Sequence, residues 1–443
     1  MVKRNLPLLL VTLVATGLFE LFFHFDWDSG VVRAGVVVAL LGLMLFARAL
    51  GRGRTRSAWP RWMLVVSSVV VALLVYWHFK EGLLSTWRQR RSEMGDIHVR
   101  TVRLLREGIS PWGFGTVLES GAFRYLIRDP ASLACRAGSP PPDEAQQATM
   151  WDSPSRGDEL FPERITAPGC EYAHALLAVV GYRYGPAMIA AYVPLIGALG
   201  RGGEYVTHLL FLLAILGALA VLLRPLSREG LLMACVVLLG QSVLRWDTLY
   251  ESDCDLIPTA MMLWALVAFE KGRFGAAGAL TALTLAAKVF PAVFLLPLLI
   301  QDRRGRAAGA FLAVSALSWG PAFAVDGVGV WDNVFRFNLE RAGDSTALSF
   351  FAPPAVMLAV RLGVVASCAL AFWRFVLRPG AFEPMAFVAF CMGPFFVFSK
   401  VFHNNYLVWW LPVVGVVLAR ALTAPRAASR PATAPAASST PAG

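Results

Sequence analysis

Residues 255–306 read DLIPTAMMLWALVAFEKGRFGAAGALTALTLAAKVFPAVFLLPLLIQDRRGR. Two apolar runs, 256 to 270 and 274 to 300, are parted only by Lys271-Gly272-Arg273 and close on an arginine-dense end. A bilayer-spanning helix needs roughly 20 apolar residues, far more than a strand needs. In lipid every backbone polar group must be satisfied internally, so runs of this length are helical. Comparable runs lie near 5 to 23, 31 to 50, 62 to 80, 174 to 199, 205 to 223, 229 to 245, 308 to 325, 350 to 376, 383 to 399 and 405 to 421. The expected fold class is therefore an all-α polytopic membrane protein of about 12–14 membrane helices. Composition agrees: 57% of the 443 residues are hydrophobic and 16% charged, against roughly 25% charged in an ordinary soluble domain.

The net charge of +11 and pI near 9.7 follow from basic cytoplasmic loops, and no nucleic-acid partner is expected. Val2-Lys3-Arg4 opens the first apolar run in the manner of a signal peptide, but no small-residue cleavage site follows before Glu20. An uncleaved anchor is the expectation. Cys235, Cys368 and Cys391 fall in apolar runs as small hydrophobes. Cys135 and Cys170 lie in one long polar loop, where an oxidising compartment would allow a disulfide. No cysteine shows metal-ligand spacing, and neither metal nor cofactor is expected.

Arginine density sets orientation. The breaks at 51 to 61 and 301 to 306, the one holding Arg374 and Arg378, and the tail with Arg420, Arg426 and Arg430 read as cytoplasmic. The polar segment 81 to 172, the loop from Asp326 to Thr346 and the turn from Lys400 to Tyr406 are then outside. Counting 172 to 199 and 274 to 300 as single helices would put Lys271 and Arg273 outside, against that preference. Splitting both into broken or re-entrant pairs, at Gly185-Pro186 and at Lys288-x-x-Pro291, restores it, because proline lacks the donor a continuing helix needs. The expected organisation is an N-terminal hairpin and basic loop over 1–61, a membrane domain over 62–421 that includes the long loop 81–172, and a disordered Ala/Pro/Ser/Thr tail over 422–443.

Several polar residues stand out against this background. Asp96 precedes Val99 to Glu107, where Val99, Val102, Leu104 and Leu105 alternate with Arg100, Arg103 and Arg106 as in an interfacial amphipathic helix. From spacing, Asp96 is either a helix N-cap or a reactive carboxylate at the lipid surface. Lys288 sits deep in an apolar run, so it is either functional or paired with a loop acid such as Asp253 or Asp255. Arg245, Asp247, Glu251, Asp253 and Asp255 form a charged stretch that reads as a solvated loop or, as the weaker alternative, as paired acids for a divalent metal, although their spacing matches no dedicated cage. Lys400, His403, Asn404, Asn405 and Tyr406 precede Trp409 and Trp410, giving either an aromatic belt at headgroup level or a cationic clamp for a phosphate.

Together these segments resemble the polyprenyl-phosphate-sugar-dependent glycosyltransferases of the C-type membrane fold, most closely glycosyltransferase family 87. The resemblance rests on DIHVRTVRLLREGISPW, on YRYGPAMIAAYVPLIGAL, on the 255–306 stretch and on FSKVFHNNYLVWWLP, and it spans about 80 to 420. Ser252-Asp253-Cys254-Asp255 stands where relatives often carry Gly-Gln-x-Asn or Gly-Gln-x-Asp, and Tyr184-Gly185-Pro186 where they carry Tyr-Pro-Pro. The resemblance implies that Asp96 is the catalytic base. It implies that Lys400, His403, Lys288 and Arg245 contact the donor phosphate, and that Asn404, Asn405, Tyr406, Tyr184 and Asp255 contact substrate.

The implied reaction moves a sugar, a hexose such as mannose by analogy, from a polyprenyl-phosphate donor to a lipid or glycan acceptor. It would run with inversion on the outer face of the inner (plasma) membrane. One carboxylate takes the acceptor proton, and cations stabilise the leaving phosphate. The competing expectation is a transporter or flippase of a lipid-linked solute, which also uses broken helices.

Overall fold

The computed structural model describes residues 14, 35, 37–45, 69, 73, 76, 80, 93–106, 108, 110–112, 114–119, 122–127, 182–223, 254–340, 353–378, 383–398 and 406–423. The described chain is helical apart from one antiparallel hairpin, β1 (Phe114–Glu119) and β2 (Ala122–Ile127), within the long polar loop. That hairpin departs from the expected loop of interfacial helices alone. Ahead of it, α1 (Glu93–Arg106) is the expected amphipathic helix. Its buried stripe runs His98, Thr101 and Val102, flanked by Ile97 and Val99, the i, i+3, i+4 spacing of one helix face. This stripe packs on protein, in a cluster with Met188, Ile189 and Tyr192 of α2 (Pro186–Leu199).

Beyond α2 come α3 (Gly202–Leu223), α4 (Leu256–Glu270) and α5 (Phe274–Ala287). A short α6 (Val289–Val293) and a 3-10 turn (Leu296–Gln301) lead to α7 (Arg306–Val330), which continues as a π-helical turn (Trp331–Arg336) and α8 (Phe337–Glu340). The chain closes with α9 (Pro354–Ala371), whose π-helical extension is Phe372–Leu377, then α10 (Pro384–Phe398) and α11 (Leu407–Thr423). Among the described residues three helices are long and apolar enough to cross a membrane: Gly202–Leu223, Arg306–Arg336 and Ala355–Leu377. Of the shorter apolar helices, Phe274–Ala287 and Val289–Gln301 are the two halves that the Lys288-x-x-Pro291 break produces. The expected segments 5 to 23, 62 to 80 and 229 to 245, and Cys135 and Cys170, lie outside the described residues apart from isolated positions.

Where the helices sit follows from their side chains. Leu407 to Ala419 of α11 are buried on every side, which makes α11 the central helix, since a helix apolar all round has no face to give to water. Residues 37–45 insert Val37, Leu40 and Met44 into the same core as α3, α4, α10 and α11. By contrast, Leu312, Leu317 and Val325 of α7 and Leu358, Leu362 and Val365 of α9 are exposed, as lipid-facing side chains are. α5 is rich in small residues. A Cβ on Gly278 would collide with the Ala307 carbonyl, so glycine there lets α5 and α7 approach at backbone distance.

The 274 to 300 segment is a re-entrant pair. α5 ends at Ala287, Lys288 is extended (φ −150°, ψ 129°), and the chain turns back through α6 and the 3-10 turn. Pro291 has no N–H to offer the Ala287 carbonyl four residues back, and the Gly185 N–H fills that place at 3.3 Å. The arrangement requires glycine, because a Cβ at 185 would strike the Ala286 carbonyl. At the far end, Arg420 of α11 grips both oxygens of Glu270 (2.5 and 2.7 Å) and the Leu222 carbonyl (2.9 Å). Arg306 lies over the Phe274 ring, and Gln301 bonds the Val376 carbonyl. Lys271, Arg273, the 303–306 arginines, Arg374 and Arg420 therefore share one end of the bundle, as the broken-pair reading requires.

The loop expected from Asp326 onward is instead helical to Glu340. Asp326 breaks α7 (φ −154°, ψ 68°) and caps the helix that restarts beyond it, accepting the Gly329 N–H at 2.9 Å.

Candidate active site

The Lys288 break faces the end of the bundle opposite the arginines. Its ammonium lies 2.6 Å from Oδ1 of Asp255, at the start of α4. The Trp409 indole N–H donates to that same oxygen at 2.9 Å. Three rings surround the ammonium: Trp409 at 4.8 Å, Tyr406 at 5.1 Å and Tyr184 at 5.6 Å. Tyr406 stacks on Trp409, with centroids 4.7 Å apart. Asp255 is fully buried, and the Lys288 side chain is 15% exposed.

Two open readings close here. Lys288 is paired with Asp255, and Asp255 belongs to a buried cluster rather than to a solvated loop. Trp409 and Trp410 are not an aromatic belt: both are fully buried, and the Trp410 indole donates to the Ala389 carbonyl.

Tyr184 links this cage to α1. Its ring lies 5.6 Å from the His98 imidazole, which stacks on Tyr192 at 4.0 Å. The Tyr182 hydroxyl and His98 Nδ1 are 3.2 Å apart, and the Tyr192 hydroxyl and His208 Nε2 are 2.6 Å apart. On α1, outside the membrane-spanning segments, burial first, then the charges of His208 and Lys288, push His98 well below the usual histidine range. At neutral pH His98 is an uncharged hydrogen-bonding partner.

A clasp of three residues holds these parts in register. Ser110 donates to Asp326 Oδ2 at 2.9 Å, and the Trp112 N–H donates to the Ser110 hydroxyl at 3.2 Å. The Pro111 carbonyl accepts the Tyr182 N–H at 3.2 Å. The Trp112 indole donates to the Tyr184 carbonyl at 3.0 Å, and its own carbonyl accepts the Asn333 amide at 3.2 Å. The segment after α1 is thus tied to the residues entering α2 and to the restarted half of α7. Composition gave no hint of Ser110, Asp326 or Asn333, because each works through one hydrogen bond across a large sequence separation.

Of the expected site residues, Lys288, Asp255, Tyr184 and Tyr406 converge in one cage. Asp96 lies on α1, two residues before His98. It sits in the helix's first turns rather than before the helix, so it is not the N-cap. Lys400, His403, Asn404, Asn405 and Arg245 lie outside the described residues. The charge of Lys288, expected to meet a donor phosphate, is already balanced by Asp255.

This is a polar and aromatic cage at a helix break in a helical membrane bundle. The family model for Glycosyltransferase family 87 matches residues 182–442, more than half of the chain, and the chain belongs to that family. The matched region begins at Tyr182, so α1 and Asp96 precede it. No curated protein and no solved structure matches the chain.

Proposed function

We propose that this membrane glycosyltransferase takes its sugar, a hexose such as mannose, from a polyprenyl-phosphate donor. The acceptor is a lipid or glycan at the outer face of the plasma membrane, and transfer inverts the anomeric centre. The observation that supports this reading is the approach of α1 to the Lys288 cage through His98 and Tyr184, with Tyr406, just before α11, in the same cage. A lipid-tethered donor must be met where bilayer and water adjoin, and this end lies opposite the arginine-rich end that the positive-inside preference assigns to the cytoplasm.

In this mechanism Asp96 takes the acceptor hydroxyl's proton as that oxygen attacks the anomeric carbon. The bond to the phosphate oxygen breaks on the opposite face. The departing phosphate keeps its negative charge, so it needs donors and cations rather than a proton. Lys400 and His403, with Arg245, are the groups proposed to supply them. Inversion needs no second carboxylate nucleophile.

The test is to incubate the purified protein in lipid nanodiscs with a panel of radiolabelled polyprenyl-phosphate sugars and host lipid extract. Transfer of label with release of sugar-free polyprenyl phosphate is expected from the native chain, and Asp96→Asn should abolish it while monodispersity is kept. Near-normal turnover by Asp96→Asn on the true acceptor would remove Asp96 from the base role. Movement of intact donor across the membrane without release would favour a flippase.

A further inference from the structure

Resting on that reading, we infer that the cage of Lys288, Asp255, Tyr184 and Tyr406 is the subsite for the sugar ring itself and not for the donor phosphate. The first reason is charge. Lys288 and Asp255 are 2.6 Å apart and opposite in charge, so a phosphate arriving at the ammonium also meets a carboxylate at close range. The Trp409 N–H holds the same Asp255 oxygen, which fixes the carboxylate where it is.

The second reason is the walls. Tyr184, Tyr406 and Trp409 turn ring faces toward the ammonium. An aromatic face carries the negative part of the ring quadrupole. Such faces attract a cation or the polarised C–H bonds of a pyranose and repel an anion. Tyr184 and Tyr406 are half-buried, and Lys288 is partly exposed, so these three are the groups a ligand reaches.

A neutral ring with hydroxyls on its edge and C–H bonds on its face matches both features. It can accept a hydrogen bond from Lys288 and stack on tyrosine, without separating the ion pair. The ligand class is therefore a hexose or pentose in ring form, with its phosphate held outside this cage.

The experiment uses two phosphate-free or sugar-free probes, so it does not depend on turnover. Native protein, Lys288→Gln and Tyr406→Leu in nanodiscs are titrated with a series of octyl hexosides and, separately, with dodecyl phosphate, following tryptophan fluorescence. Saturable hexoside binding that weakens about tenfold or more in each variant is expected, a loss of one well-made contact. Dodecyl phosphate affinity should not change. Tyr406→Leu, which leaves the ion pair intact, keeps the test open if Lys288→Gln does not fold. Absence of hexoside binding by the native protein overturns the inference, and so does a parallel loss of dodecyl phosphate affinity in the variants. Failure of the native enzyme to use any polyprenyl-phosphate sugar, with hexoside binding intact, would instead overturn the proposed donor.

Discussion

Removing Lys288 should damage the protein far more than removing its partner and its charge together. Lys288→Met strands a fully buried carboxylate with the Trp409 N–H as its neighbour. Breaking a buried pair from one side costs about 3–5 kcal/mol. Asp255→Leu strands a cation instead, but that cation is 15% exposed and keeps three ring faces within 5.6 Å. At about 0.5–1 kcal/mol per ring, the rings offset much of the loss and leave a cost of about 1–3 kcal/mol. In the double variant no charge is stranded, and the remaining defect is an unpaired indole N–H, worth about 1–3 kcal/mol. The two single costs should therefore exceed the double cost by about 3 kcal/mol, the signature of directly coupled groups. Reversible unfolding by SDS titration, followed by tryptophan fluorescence on all four proteins, measures the cycle. A double variant whose cost equals the sum of the singles would refute the argument, because it would mean that the pair does not share one buried charge balance.

Gly185→Ala should destabilise the chain by about 2 kcal/mol or more through overpacking, because the new methyl meets the Ala286 carbonyl; the same titration reads it, and a silent substitution would mean the crossing is looser than described. Asn333→Ala deprives the Trp112 carbonyl of its partner and should cost about 1–2 kcal/mol. In labelled-sugar transfer it should raise KM more than it lowers kcat, since the clasp positions Tyr184 and touches no reacting atom. His98 is held neutral when folded, with its titration depressed, whereas the unfolded chain protonates near pH 6.5. The folded state then binds fewer protons, so His98's contribution is complete above about pH 6.5 and is lost as the pH falls below it toward the depressed folded value. Unfolding midpoints from pH 7.5 to 4.5 should show this slope in the native protein and a shallower one in His98→Phe.

The breaks were legible because proline and glycine act locally. Lys288-x-x-Pro291 marks a place where no helix can continue, whatever surrounds it. Arginine clustering likewise gave the common end of α4, α7 and α11, since the membrane sorts charge without reference to packing. Pairing of Lys288 with Asp255 was one of the sequence's alternatives, but the burial of Asp255 was not legible. A run of acids between apolar segments looks solvated until the fold brings Lys288 and Trp409, from helices far along the chain, onto one carboxylate. The β hairpin escaped notice for a related reason: six-residue strands in a polar loop leave no lipid-scale signal. The headgroup-belt alternative for Trp409 and Trp410 could not be dismissed from sequence, because tryptophan near a helix end serves both purposes and only a partner for the indole N–H distinguishes them.

The backbone bond between Gly185 and Ala287 also bears on how the chain is made. When the ribosome delivers residue 185 to the bilayer, its amide has no mate, and the carbonyl that will receive it emerges roughly a hundred residues later. The Lys288 end of the bundle therefore cannot close over this bond until the re-entrant segment has been made. A nascent chain halted before Pro291 should still hold water there.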